Sequence, residues 1–237
     1  MKLIRIIACG ALVAASTSAT AQHAGHIASA PDEKISASFD LIRTDVRSEG
    51  ADIVFRVQVR GKAGELRPKS VGQFAGSAVY SYVWPTSLDS ATVGFDKGQG
   101  ILALAVTFHP DFDDSADGSP NRHVWHPHWV VLVPDDACGR GSLKVRDIPE
   151  GTKPRLPSTW PKVPLLIDSP TYPTTLETDT VEVKVPASEI GAAAGMKFDG
   201  VTSALKVNAN LHAPLLCITD IFDVASGNLS LPGTVRQ

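Results

Sequence analysis

Four of the seven histidines in this sequence lie in one short stretch, His109 to Pro134, which reads HPDFDDSADGSPNRHVWHPHWVVLVP. His126 and His128 are two residues apart, so both side chains point to the same face if the backbone is extended. Imidazole nitrogens are common ligands of zinc and copper, and two histidines arranged in this way can bind one ion. The stretch therefore predicts a transition-metal site centred on His126 and His128.

Two ligands do not complete a metal site, and three other histidines are candidates for the remaining positions. His109 ends one predicted strand, His123 precedes the His-Pro-His segment, and His212 ends another predicted strand. We expect one or two of them to complete the site. Histidines with carboxylates nearby favour zinc or copper over magnesium or calcium.

The acidic segment DFDDSADG, which begins two residues after His109, is a candidate calcium loop. An EF-hand loop requires glycine at the sixth position and glutamate at the twelfth. Counted from Asp111, Gly118 is eighth and Arg122 is twelfth, so the motif fails. The segment is predicted to be a solvated acidic turn, and a calcium site of another kind stays open.

Several enzyme motifs are absent from the sequence. It has no G-x-S-x-G, no H-E-x-x-H, no P-loop and no G-x-G-x-x-G that opens a helix. A blue-copper site is disfavoured, because His212 precedes Cys217 instead of following it. A hydrolase that uses His109 with Asp111 or Asp113 stays open, although no nucleophile stands out. Enzymatic activity is therefore undecided, and the missing motifs favour a protein that is not an enzyme.

Four tryptophans suggest a different function. If Trp84, Trp125, Trp129 and Trp160 were exposed in a groove, they would give a binding module contact area for a sugar, a peptide or an envelope protein. This hypothesis predicts solvent-exposed tryptophans, whereas the metal site predicts convergent histidines.

Residues 1–21 have the pattern of a signal peptide. Lys2 and Arg5 form a positive region, an apolar run follows from 6 to 15, and Ala19-Thr20-Ala21 fits a cleavage site. The apolar run is shorter than the roughly 20 residues that span a bilayer. We expect a protein of the periplasm or one that is secreted.

The charge of the predicted mature chain limits the classes of partner that we expect it to bind. Cleavage after Ala21 would remove Lys2 and Arg5, leaving 20 basic and 25 acidic residues and a net charge of −5. No block of like charge suggests a nucleic acid partner, and no later segment is long and apolar enough to predict a transmembrane helix. The predicted partner is a metal ion or a small ligand, and an envelope protein is a further candidate.

The mature chain would keep two cysteines, Cys138 and Cys217. In an oxidising compartment such a pair is expected to form a disulfide. Thiolate metal ligands are the alternative.

Alternating apolar and polar residues predict a fold made almost entirely of strands. Examples are residues 53–59, 181–185 and 205–211, where every second residue is apolar. Residues 91–95 and 101–108 are further predicted strands. About ten such segments separated by turn signals predict a single antiparallel β-sandwich over residues 35–237, with a closed β-barrel as the alternative. Residues 22–34 are predicted to be a flexible tail, and at most one short helix is expected after Pro186.

Seven prolines between residues 149 and 173 interrupt the strand pattern. Proline at this density prevents regular strand pairing and favours extended chain. This long loop is either a lid or a structural strap. We favour a strap anchored by Trp160 and Leu165.

Overall fold

The computed structural model describes residues 25–191, 193–211 and 213–235. The predicted signal peptide at 1–21 and the candidate ligand His212 lie outside the described residues.

Antiparallel strands dominate the described chain, as predicted. In chain order the strands are β1 (His26–Ala28), β2 (Leu41–Glu49), β3 (Asp52–Val59), β4 (Ala78–Pro85), β5 (Ile101–Phe108), β6 (His126–Pro134), β7 (Leu143–Val145), β8 (Ile167–Asp168), β9 (Thr174–Glu177), β10 (Thr180–Pro186), β11 (Lys197–Phe198), β12 (Val201–Val207), β13 (Leu216–Val224) and β14 (Gly233–Thr234). A four-residue α-helix, α1 (Ala187–Ile190), follows Pro186 as expected. Within the described ranges, no helix combines the length and apolarity needed to cross a membrane.

Six strands close into a barrel in the order β5-β4-β12-β13-β7-β6, and β6 pairs back with β5. Strand β8 pairs with Trp129 and Val130 of β6, next to the part of β6 that pairs with β7. The closed barrel, held as the alternative, is therefore present, whereas the single sandwich is not confirmed. Alternation could not separate the two architectures, because it gives the face that a residue occupies and not the partner of a strand.

A second sheet, in the order β1-β2-β3-β10-β9, packs against the outside of the barrel. Trp84 of β4 and Trp129 of β6 are fully buried at this contact, and the Phe55 ring of β3 lies about 6 Å from each in an edge-to-face arrangement. A second apolar cluster lines the inside of the barrel. Strands β4, β5, β6 and β12 are therefore largely buried on both faces, one facing the second sheet and the other facing the interior.

Two predicted strands differ from the observed structure. Residues 91–95 were expected to be extended, but Ser90–Val93 is a 3-10 helix whose first turn is capped by the Asp89 carboxylate, which accepts the Ala91 N–H at 2.9 Å. The strand expected at 205–211 ends at Val207, and the turn that follows leads into β13, which was not predicted.

The segment 22–34 was predicted to be a flexible tail, but it contains β1. This strand pairs with β2 through His26 and Asp45, and the Ile27 side chain is buried in the core between the sheets. One apolar residue in a polar context was too weak a sequence signal for a strand.

The end of the proline-rich segment is anchored as a strap. The Trp160 indole N–H donates to the Leu165 carbonyl at 3.1 Å, and Leu165 is buried. Asp168 pairs with Trp129 of β6. Residues 165–168 thus extend the sheet alongside β6.

The predicted disulfide between Cys138 and Cys217 is confirmed. It joins β13 to the short helical turn that follows β6. Strands β13 and β7 pair through Cys217 and Lys144, so the disulfide lies beside a short seam of the barrel.

Tyr82, on strand β4 of the barrel, forms hydrogen bonds with the chain segments just before β2 and just after β3 of the second sheet. Its hydroxyl donates to the Ser38 carbonyl and accepts the Gly64 N–H, both at 2.8 Å, and burial raises the pKa of Tyr82 to about 12. We expect Tyr82→Phe to lower the free energy of unfolding by about 1–3 kcal/mol, because two buried backbone groups lose their partner. Urea unfolding would measure this loss, with Tyr80→Phe on the same strand as the control. Equal effects of the two variants would contradict the assigned role.

Candidate metal centre

The β5–β6 hairpin brings three histidines and one aspartate together at one end of the barrel. His109 directly follows β5, while His126 and His128 lie on β6 opposite Thr107 and Ala105. Asp114 lies in the loop between the two strands. Potential ligand atoms of His109, Asp114, His126 and His128 all lie within 4.8 Å of one another.

The three imidazoles surround the Asp114 carboxylate. Its Oδ2 lies 3.3 Å from His109 Nε2 and 3.4 Å from His128 Nε2, and its Oδ1 lies 3.1 Å from His126 Nε2. His128 is fully buried, and the most exposed member, His126, retains 9% of its accessible surface. The group is thus shielded from water.

Backbone carbonyls orient each imidazole through its Nδ1 atom. The pairs are His109 with Phe112 O (2.9 Å), His126 with Val124 O (2.9 Å), and His128 with Asp168 O (3.2 Å). A carbonyl oxygen can only accept, so the Nδ1 atoms of His109 and His126 donate to their carbonyls. His128 Nδ1 also lies 3.0 Å from the Ser169 hydroxyl, so this hydroxyl and the Asp168 carbonyl together hold its ring. The Nε2 atoms are therefore the ones that face the centre, as in many histidine metal ligands.

Two of these Nε2 atoms have unsatisfied bonding capacity. His109 Nε2 and His128 Nε2 are buried and have no hydrogen-bond partner among the described residues. In the neutral ring, Nε2 presents a lone pair, which here faces carboxylate oxygens that also carry lone pairs. A cation bound between these atoms would remove this repulsion and satisfy both nitrogens.

Neighbouring groups hold Asp114 and His109 in place. The Asn121 amide group donates to Asp114 Oδ1 at 2.8 Å, and its oxygen accepts the Asp114 backbone N–H at 3.1 Å. The Phe112 ring stacks on His109 with 4.0 Å between ring centroids. Both side chains therefore have a fixed orientation.

The protonation states suit cation binding. Burial by itself raises the pKa of Asp114, but His128 and the polar contacts with His109 and His126 hold that pKa well below its usual range. Burial lowers the pKa of His128 to about 3, although Asp114 opposes this shift. At neutral pH, an ionised carboxylate therefore faces a neutral His128 imidazole, the forms in which these groups bind metals.

The structure brings some of the histidines predicted as metal ligands together and leaves others apart. His109 joins His126 and His128, whereas His123 is exposed and lies outside the group. His212, the remaining candidate, is not among the described residues.

The prediction of a solvated acidic turn is correct for part of the segment and wrong for Asp114. Asp111 accepts the backbone N–H groups of Val71 and Gly72, and Asp113 forms an ion pair with Arg122, all near the surface. Asp114 is buried in the centre instead. The nearby histidines gave a general signal for a carboxylate ligand, but no local pattern distinguished Asp114 from its neighbours.

The alternative functions gain less support from the geometry. Trp84 and Trp129 are fully buried, and Trp125 and Trp160 are half-buried, so the four do not line an exposed groove. The hydrolase hypothesis paired His109 with Asp111 or Asp113, but the His109 ring contacts Asp114 and the Phe112 carbonyl. The tryptophan positions therefore do not match the binding-module hypothesis, and the contacts of His109 do not match the hydrolase hypothesis.

Fold and site together define a closed antiparallel barrel with a buried group of three histidines and one aspartate that can hold a metal ion. No family model, no curated protein and no solved structure matches this chain.

Proposed function

We propose that this is an exported protein that binds one transition-metal ion, zinc or copper, through His109, Asp114, His126 and His128. The observation that carries the proposal is the convergence of three Nε2 atoms on one buried carboxylate, with two of those nitrogens unpaired among the described residues. Buried polar atoms without a partner are uncommon in folded proteins, and a bound ion would give both nitrogens a partner.

The ligand types and part of their spacing suit zinc. Four ligands placed tetrahedrally at roughly 2.0–2.1 Å from zinc lie about 3.3 Å from one another. Asp114 Oδ2 lies 3.3 and 3.4 Å from the Nε2 atoms of His109 and His128, which matches this spacing. Copper(II) also binds imidazole and carboxylate but prefers a square-planar arrangement.

Two features support export. Residues 1–21 have the charge order and cleavage motif of a signal peptide. The Cys138–Cys217 disulfide is typical of proteins that fold in an oxidising compartment.

Elemental analysis of the mature protein, purified from an exported form without a histidine tag, tests the proposal. We expect about one equivalent of zinc or copper per chain, and uptake of one equivalent after the metal is removed with a chelator. Titrating the metal-free protein with each ion separately identifies the preferred metal. Absence of any transition metal, together with no uptake on titration, would refute the proposal.

Asn121 is expected to tune the metal affinity through its two hydrogen bonds to Asp114. Replacing a residue that orients a ligand lowers metal affinity by roughly 10–100-fold, and we expect an effect of this size for Asn121→Ala. Competition with a chromogenic chelator measures the change. Arg122→Ala is the control, because Arg122 pairs with Asp113; equal losses in the two variants would contradict the role of Asn121.

A further inference from the structure

The inside of the barrel contains a cavity of about 180 Å³ that reaches the metal centre. His109, Asp114 and His128 form part of its wall, and most of the remaining wall is aliphatic or aromatic. An apolar protein cavity of roughly 150 Å³ is large enough for a benzene-sized molecule. The cavity therefore has room for a small organic ligand directly beside the four metal-binding side chains.

One end of the cavity carries hydroxyl groups. Thr107, Ser81 and Ser203 are cross-strand neighbours on β5, β4 and β12, and all three line the cavity. The two serine hydroxyls bond to each other at 2.7 Å. Thr107 Oγ1 is buried and has no hydrogen-bond partner within the described part of the chain, so it can donate to a ligand.

Another part of the cavity wall reaches solvent through apolar residues. Ile101, Ile221 and Leu229 line the cavity and are 41%, 50% and 37% exposed. Ile101 begins β5, and Thr107 lies near its other end, about 20 Å further along the strand at roughly 3.3 Å per residue. An elongated apolar ligand can enter among these residues and extend towards Thr107.

The charge at the polar end selects the head group of such a ligand. The titratable residues of the cavity wall are His109, Asp114 and His128, all members of the metal centre. A divalent ion bound by neutral imidazoles and one carboxylate leaves a net charge of +1 in a region of low dielectric constant. A single negative charge on the ligand would neutralise it.

We propose that the barrel binds a small amphiphile, a hydrocarbon tail with one carboxylate, whose head group contacts the bound metal and the Thr107 hydroxyl. This inference rests on the proposed metal site, since the metal supplies the positive charge. Some zinc sites expand to five-coordinate, which accommodates the carboxylate as an added ligand.

Calorimetric titration of the metal-loaded full mature chain with octanoate tests the proposal. Acetate has the same head group without the tail, and octan-1-ol has the tail without the charge. Octanoate is expected to bind at least about a hundredfold more tightly than acetate, because its buried methylene groups leave water. It is also expected to bind more tightly than octanol, by a margin that disappears when the metal is removed.

Two variants examine the polar contact and the apolar space of the cavity. Thr107→Val preserves side-chain volume and is expected to weaken octanoate binding about tenfold, the effect of one lost hydrogen bond, with unchanged metal content. Val83→Phe fills the cavity opposite Ala105 and is expected to abolish binding of both octanoate and octanol. If Val83→Phe does not fold, Thr107→Val still provides the test.

Metal content measured on the same samples separates this inference from the proposed function. Full metal occupancy without octanoate binding would overturn the amphiphile site and leave the metal site intact. Octanoate binding that does not depend on the metal would overturn the contact between head group and metal. A chain that takes up no metal would overturn the proposed function and this inference together.

Discussion

Zinc at about a thousand times its Kd is expected to stabilise the wild-type protein by about 4 kcal/mol, and not to stabilise the variant with His126→Ala and His128→Ala. The double variant loses two of the four proposed ligands, including the fully buried His128. Two remaining side chains do not hold zinc against water. Chemical denaturation with and without zinc measures both stabilities.

His123→Ala is the matched control for this experiment. His123 belongs to the same short stretch of chain but is exposed and lies outside the centre. It should keep the full zinc-dependent stabilisation. The assigned ligand set would be wrong if His123→Ala lost the effect or if the double variant kept it.

Removing the disulfide with Cys138→Ala and Cys217→Ala is expected to lower the free energy of unfolding by about 4 kcal/mol, on the chain-entropy estimate for a loop of this length. The two cysteines are 79 residues apart. The bond also lies beside the short pairing of β7 with β13. Its loss should therefore weaken closure of the barrel as well as relax the unfolded chain.

Urea unfolding of oxidised, reduced and double-variant protein measures this contribution. The reduced wild-type protein should match the double variant, and reductant should leave the double variant unchanged. Equal stabilities of the oxidised and reduced wild-type protein would show that the disulfide does not stabilise this fold.

The sequence predicted part of the candidate metal centre. His126 and His128 were identifiable because residues two apart share a face of any strand, whichever fold contains it. His109 was a candidate because it ends a clear strand pattern. Asp114 could not be selected, because Asp111, Asp113 and Asp114 have similar sequence surroundings. The path of the loop, fixed by contacts such as that between Asn121 and Asp114, decides which carboxylate turns inward.

The fold shows the same division between local and long-range information. Strand β5 was predicted with its observed bounds, Ile101–Phe108, because its pattern is local. Barrel closure depends on the pairings of β5 with β6 and of β7 with β13. Strands β4, β5, β6 and β12 are largely buried on both faces, so their apolar pattern did not reveal which strands pair.

All four candidate ligands lie between His109 and His128, within a single hairpin and its loop. The entropy cost of closing a chain segment rises with its length, so this coordination sphere can form before distant parts of the chain meet. Strands β12 and β13, which complete the barrel, come much later in the chain. We therefore expect the proposed metal ion to bind this early hairpin and order it before the barrel closes, which would make the ion a participant in folding as well as a component of the folded protein.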